Sequence, residues 1–506
     1  GELHKRRPDL VGFVNGLPLL LIELKASHKN LINAYQENIR DYKDTIPQIF
    51  WYNAFIIISN GVETKVGTVS SSYEYFNEWK KIKDEEEVGK VSMETVMRGT
   101  CEPNRFLDIV ENFTLFDEAK SGKIKIISRY FQYLGVNRAF GKIQNRNGSK
   151  GRLGVFWHTQ GSGKSYSMVF LSQKVFRKLH GNYTFVIVTD RQELDKQIYK
   201  NFANTGAVYE DELHAETIAD LKQLLSEDHR HVFTLIHKFA EPIELNTRED
   251  IIVMADEAHR TQYDRLASNM RISLPNASFI GFTGTPLMAG EEKTRATFGD
   301  YISTYNFAQS VEDGATVPLY YENRVPHLKN INQDIEKELE GVLDYYDLNP
   351  EEEEKLEQEF STFYHLITRE DRLNKLAEDI VNHFTSRGYD GKAMVVSIDK
   401  KTAIRMYTKV QEQMKRYISK LKIDLSKASD EHEKDEIKEQ ISKYENIDMA
   451  VVVSQSQNEI ADMNEFEIDM RPIRARIIGE DLETKFKDAE SNLRIVFVCA
   501  MWITGF

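Results

Sequence analysis

FWHTQGSGKSYSM, residues 156–168, is the stretch on which the reading of this chain turns. An apolar run, GVFWHT (154–159), leads into GSGKS (161–165), and a helical run, SYSMVFLSQKVFRKL (165–179), leads out. Consecutive backbone N–H groups, freed by glycine and backed by a helix N-terminus, wrap phosphate oxygens. Gly161, Ser162 and Gly163 supply the close backbone approach, Lys164 the positive charge and Ser165 a hydroxyl for a metal ion. His158 stands where the usual pattern has its first glycine. Only the turn is at stake at that entry position, so the cradle's chemistry is expected to survive.

The strand-then-helix alternation continues on both sides of the loop. TFVIVTD (184–190), HVFTLIH (231–237), IIVMADE (251–257) and SFIGFTG (278–284) are short apolar runs separated by helical stretches. That is the pattern of a parallel sheet covered on both faces. Each run ends in polar residues, at the edge where an open α/β sheet presents its ligand. In MADEAHR (254–260), Asp256 would share with Ser165 the holding of Mg²⁺, Glu257 would polarise an attacking water, and His259 would sense the γ-phosphate of ATP. FTGTP (282–286) adds Thr283 and Thr285 at a loop tip. GSGKS, DEAH and TGTP in this order are far more specific than any one of them.

The bulk numbers bound the rest. A chain of 506 residues is too long for one core and should form about three domains. With 41% hydrophobic and 29% charged residues, and no apolar run near the ~18 needed to cross a bilayer, it is expected to be globular, soluble and without a membrane partner. Two distant cysteines, Cys101 and Cys499, suggest neither a disulfide framework nor a zinc site, which fits the cytoplasm. A net charge of −14 argues weakly against nucleic acid, yet the acids cluster, as in EEEEKLEQEF (351–360), whereas RAFGKIQNRNGSKGR (138–152) has none. KAMVVSI (392–398) and RIVFVCA (494–500) predict strands of a second sheet. Met414, Tyr417, Leu421, Leu425, Ile437, Ile441 and Tyr444 recur at helical spacing between them and predict an inserted helical hairpin.

The front of the chain carries a different chemistry. RPDLVGFV, a turn at Asn15-Gly16, PLLLIELK, a helix from about Asn30 to Tyr42 and a strand in IFWYNAFIIIS make a compact α/β core, followed by a mixed region to about 120. Asp9 and Glu23 fall on consecutive strands of the hairpin, where two carboxylates can hold Mg²⁺. Lys25 lies on the same face as Glu23 and can orient or deprotonate a water.

These motifs resemble two known families. GSGKS, DEAH and TGTP resemble a superfamily 2 helicase-type motor, in which two RecA-like domains clamp ATP. On that resemblance Gln132 in SRYFQYLGV matches the adenine-reading glutamine, and Arg191 in TDRQELDKQ lies in a strand-end loop that touches DNA. Thr504 and Gly505 in MWITGF match a loop near nucleotide and DNA. The arginine-bearing motif VI of such motors is not reached by Phe506, so a longer enzyme is expected. The front segment looks like the PD-(D/E)xK nuclease core. Its motor-attached branch also carries a Gln-x-x-x-Tyr signature; AYQENIRDYK offers Tyr42, but Asn38 stands four residues before it and Gln36 two further back.

A nuclease of this type followed by such a motor is similar to the HsdR, or R, subunit of type I restriction enzymes. The resemblance implies residues 1–115 as endonuclease domain, 116–310 as the first RecA-like domain and 311–506 as the second. It further implies ATP-driven translocation of double-stranded DNA, cleavage remote from a recognition sequence, and methyltransferase (M) and specificity (S) subunits as partners. A repair helicase-nuclease and a remodelling subunit with an inactive nuclease fold are the alternatives.

Overall fold

In the computed structural model the described residues are 5–119, 122–190, 192–208, 213–256, 263–286, 292–322, 324, 364, 367–455, 459, 463 and 468–499. The chain divides into two compact units, Gly1–Leu319 and Tyr320–Phe506.

The first unit opens with strands β1 (Leu10–Val14) and β2 (Leu17–Leu24). Asn15 and Gly16 between them both take positive φ, 49° and 81°, the two-residue turn whose twist matches that of paired strands. β2 pairs in parallel with β3 (Phe55–Ser59); β4 (Thr64–Gly67) and β5 (Asn77–Glu78) add antiparallel, for the order β1-β2-β3-β4-β5.

Two boundaries differ from those the sequence predicts. The helix starts not near Asn30 but as a π-helical turn, Ala34–Ile39, continuing into α1 (Arg40–Thr45). Asn30 instead accepts the Ile32 N–H on its own side chain at 3.1 Å, a local bond that competes with helix. The strand in IFWYNAFIIIS is confined to Phe55–Ser59, because Pro47 begins a 3₁₀ turn, Pro47–Phe50. The mixed region resolves into α2 (Met93–Thr100), α3 (Pro103–Asn112) and the hairpin β6 (Thr114–Ala119) and β7 (Gly122–Ile127).

The central sheet is entirely parallel. Its strands are β8 (Arg152–His158), β9 (Thr184–Thr189), β10 (His214–Ala215), β11 (His231–Leu235), β12 (Ile251–Asp256), β13 (Ser278–Thr283) and β14 (Tyr301–Tyr305). They lie in the order β10-β11-β9-β12-β13-β8-β14. Alternate residues face opposite layers, as strand geometry requires. Phe185, Ile187, Met254 and Phe282 pack with α4 (Tyr130–Gln144), α5 (Lys164–Lys178) and α6 (Gln192–Asn204). Val186, Val188, Val253 and Phe279 pack with α7 (Ile218–Ser226), α8 (Tyr263–Ser273) and α9 (Glu292–Phe298).

The front sheet is joined to this core. One face, with Leu21, Ile56 and Ile58, packs on Leu31, Ala34, Ile39 and Tyr42. The other, with Leu20, Ile22, Phe55 and Ile57, belongs to the same apolar cluster as Phe113, Tyr133, Phe156 and Phe170. Trp79 sits in that seam, 2% exposed, its ring 5.7 Å from Tyr133.

In the second unit, β15 (Ala393–Val396), β16 (Asp448–Val452) and β17 (Leu493–Val498) form a parallel sheet in the order β15-β17-β16. The inserted hairpin is α11 (Lys400–Lys427) and α12 (Glu431–Glu445), packed beside α10 (Glu370–Ser386). Met414, Leu421, Ile441 and Tyr444 are buried, and the Tyr417 and Tyr444 rings lie 5.5 Å apart. β16, which follows the hairpin, is not anticipated by the sequence patterns. Among the described residues no helix is long and apolar enough to cross a membrane.

Candidate functional site

The front sheet gathers Asp9, Glu23, Lys25, Asn38 and Tyr42 at one end of β2. Glu23 is 2% exposed, fixed there by the inward phase of β2. Asp9, which is exposed, is tied to the neighbouring backbone: its Oδ2 accepts the Leu24 N–H at 2.7 Å. Glu23 Oε1 accepts from the Asn38 amide at 2.6 Å and from the Tyr42 hydroxyl at 3.3 Å. Lys25 Nζ donates to the Asn38 carbonyl oxygen and, at 3.2 Å, to Glu37. Asn38 therefore joins the acid to the base through the two ends of one amide.

Glu23 Oε2 is buried and has no hydrogen-bond partner. Burial, and next the negative charge of Asp9, push the Glu23 carboxyl up to about 7; a backbone hydrogen bond from Asp9, the Tyr42 hydroxyl and the Lys25 charge only partly oppose them. A buried carboxylate oxygen lacking a donor, beside a second carboxylate at the mouth, suits a hard divalent cation. Among the described residues no group of three or more His, Cys, Asp or Glu stands ready for a metal.

Asn38 stands where the Gln-x-x-x-Tyr signature has its glutamine. The structure puts Asn38, not the exposed Gln36, into the cluster. The spacing of four from Tyr42 was the signal, and the π-helical winding of Ala34–Ile39 accompanies it; such turns occur often at functional sites.

The phosphate loop follows β8. Gly161 and Gly163 take φ of +82° and +84°, the left-handed region, and α5 begins at Lys164. A Cβ on Gly163 would lie 2.9 Å from Gln132 Nε2. Gln132 is buried, in the first turn of α4; its Nε2 donates to the Gly163 carbonyl at 3.1 Å and its Oε1 accepts the Arg129 N–H at 2.9 Å. Ser162 is buried, while Lys164 and Ser165 are half-buried at the helix start.

The TGTP turn closes against this loop: a Cβ on Gly284 would stand 3.1 Å from Lys164 Nζ and 3.4 Å from the Gln160 N. Thr283, fully buried, accepts the Thr285 N–H on its hydroxyl at 3.2 Å, and Thr285 is exposed. Asp256 ends β12, 8% exposed and in register with Phe282 of β13. Glu257, His259, Arg191, Thr504 and Gly505 lie outside the described residues.

His158 departs from expectation. It is not a turn residue but the last residue of β8, fully buried, with Nε2 2.6 Å from the Ser303 hydroxyl on β14. Burial and the nearby Lys164 charge hold it neutral.

Residues 131–355 match the SWI2/SNF2 ATPase family, and residues 2–75 match the family described as the type I restriction enzyme R protein N terminus. The type I restriction enzyme HindI endonuclease subunit of Haemophilus influenzae is 34% identical over 538 residues, 99% of this chain and 47% of that protein. A candidate type I restriction enzyme endonuclease subunit, MjaIXP of Methanocaldococcus jannaschii, is 32% identical over 536 residues, again 99% of this chain and 47% of the relative. A fragment structure of a candidate HsdR subunit from Vibrio vulnificus aligns over 95% of this chain and 71% of its own at 15% identity, with a TM-score of 0.39. The chain spans about half the length of the curated relatives it matches. With an R-protein N terminus, an ATPase segment and relatives of one kind matched over 99% of its length, the chain is similar to the endonuclease (R) subunits of type I restriction enzymes.

Proposed function

We propose that this chain is the motor and nuclease part of a type I restriction enzyme: it translocates double-stranded DNA at the expense of ATP and cleaves it away from the recognition sequence. The observation that carries the reading is the presence in one unit of a glycine-lined phosphate loop and of the Glu23–Asn38–Lys25 cluster. Endonuclease residues 1–115, a first RecA-like domain over 116–310 and a second over 311–506 are the division it assigns.

In the nuclease, Asp9 and Glu23 would hold Mg²⁺, which supplies Lewis-acid polarisation of the scissile phosphate when bound. Lys25 orients the attacking water and takes or shares its proton, Asn38 sets the direction of that amine, and Tyr42 holds Glu23. In the motor, backbone N–H groups of Gly161, Ser162 and Gly163 cradle the phosphates and Lys164 offsets their charge. Ser165 and Asp256 would hold the nucleotide's Mg²⁺; Glu257 polarises water, His259 senses the γ-phosphate and Gln132 reads adenine. Thr283, Thr285, Arg191, Thr504 and Gly505 couple that site to the DNA backbone. Nothing in the chain is assigned to base reading, so methyltransferase and specificity subunits are its partners, in the cytoplasm.

The test is cleavage of a circular plasmid bearing a recognition site, by the full-length subunit assembled with those partners. Lys164→Ala is expected to abolish ATP hydrolysis, translocation and cutting, whereas Lys25→Ala abolishes cutting alone. Cutting without ATP, or by Lys25→Ala, overturns the reading.

A further inference from the structure

The loop that follows the front sheet carries four consecutive acids, Asp84, Glu85, Glu86 and Glu87. Asp84 and Glu86 remain largely exposed and pair with Arg138 of α4. Glu85 also pairs with Arg138 but is buried: its side chain is 9% exposed and lies against β14, the edge strand of the central sheet. Its Oε1 accepts the Ser303 hydroxyl, and its Oε2 accepts the Thr304 N–H at 3.0 Å and Arg138 Nη1 at 3.1 Å. The segment is held a second time nearby, where Lys80 Nζ pairs with Asp313, beyond β14, at 2.7 Å. Asp313 also accepts the Tyr130 and Tyr305 hydroxyls.

The Ser303 hydroxyl has one proton, and Glu85 takes its bond. Ser303 Oγ is then an acceptor toward His158, so His158 carries its proton on Nε2 and leaves Nδ1 bare; Nδ1 is buried without a partner. His158 is thereby pinned to the neighbouring strand at the entry of the phosphate loop. Gln132 pins the other end through the Gly163 carbonyl. The backbone between them is tied by Thr159 N to Tyr305 O at 2.9 Å. A glycine at position 158 could make none of the side-chain bonds.

We propose that Glu85 is a positioning residue of the nucleotide site: through Ser303 and His158, the acidic loop leaving the nuclease sheet fixes the entry of the phosphate loop and so sets the motor's affinity for ATP. The proposal rests on the ATP-site reading above. A buried carboxylate needs compensation from several donors, and those donors tie a segment of the nuclease side to the strand that feeds the cradle.

The amide in Glu85→Gln keeps its oxygen on Thr304 N–H and Arg138, both donors, and presents its NH₂ to Ser303. The Ser303 hydroxyl must then turn and donate to His158, which moves the imidazole proton to Nδ1. In the full-length subunit, long-range ¹H–¹⁵N spectra of histidine-labelled protein should report this tautomer change, the signal being assigned with His158→Asn. Steady-state hydrolysis should show the KM for ATP raised about fivefold to tenfold with kcat within twofold, since a loosened cradle weakens ground and transition states alike. Ser303→Ala, which leaves the Glu85–Arg138 pair in place, should raise KM similarly; Glu86→Gln, on the same loop, should not. A changed tautomer with an unchanged KM, or equal effects of Glu85→Gln and Glu86→Gln, overturns the proposal. Lys164→Ala is the separate control: ATP hydrolysis persisting in that variant sinks the ATP-site reading itself.

Discussion

Replacing Glu23 by glutamine should stabilise the metal-free protein while abolishing cleavage. Glu23 Oε1 accepts from Asn38 and Tyr42, and a glutamine oxygen can accept both. Its NH₂ then occupies the place of Oε2, which has no partner, beside the Asp9 charge. The folded-state carboxyl sits at about 7 against an ordinary 4.5. A group raised in this way stabilises the fold below its unfolded value and loses that contribution as pH climbs through the folded value. At about 1.4 kcal/mol per unit, Glu23 costs the fold about 1 kcal/mol at pH 5, where only the unfolded chain ionises it, and about 3 kcal/mol at pH 8, relative to a side chain that never ionises.

Hydrogen exchange of the β2 amides, wild type against Glu23→Gln at the same pH, measures the difference without interference from intrinsic exchange. The variant should exchange roughly a hundredfold more slowly at pH 8 and within tenfold at pH 5, where those amides open with the nuclease core. Millimolar Mg²⁺ should slow the wild type at pH 8 and leave the variant unmoved, because only the ionised carboxylate gains from a cation. A gap of the same size at both pH values, or a variant less protected at pH 8, would refute the assignment of Glu23 as a desolvated, uncompensated acid.

Other perturbations test other links. Asn38→Ala removes a hydrogen bond to each of two ionisable partners, worth about 1.5–3 kcal/mol each; single-turnover plasmid cleavage should fall at least tenfold with ATP hydrolysis unchanged. Gly163→Ala places a Cβ 2.9 Å from Gln132 Nε2 at a φ of +84°, so equilibrium ATP binding should be lost while the circular dichroism spectrum is retained. Trp79→Ala empties a site in the seam between the two sheets. It should destabilise the first unit by about 3–5 kcal/mol in urea unfolding, and an effect under 1 kcal/mol would mean the two sheets do not share a core.

Contiguous stretches of sequence determined much of this protein. GSGKS with its strand and helix, the Asn15-Gly16 hairpin and the apolar runs of β9, β11, β12 and β13 are legible because backbone conformation and burial phase are set by neighbours a few residues away. The placement of Asp9 near Glu23 was within reach for the same reason: fourteen residues of hairpin bring Asp9 to the end of β2. Tertiary structure decided what no local pattern could. It chose Asn38 over Gln36, since only the winding of the helix over β2 determines which amide meets Glu23 and Lys25. It merged the front sheet with the central one through Trp79 and Phe113, and set Glu85 against Ser303 and His158 at sequence separations of 218 and 145 residues along the relay. Such contacts form where two separately folded surfaces happen to match, and the energy that fixes them is spread over the whole core and leaves no periodicity in the chain.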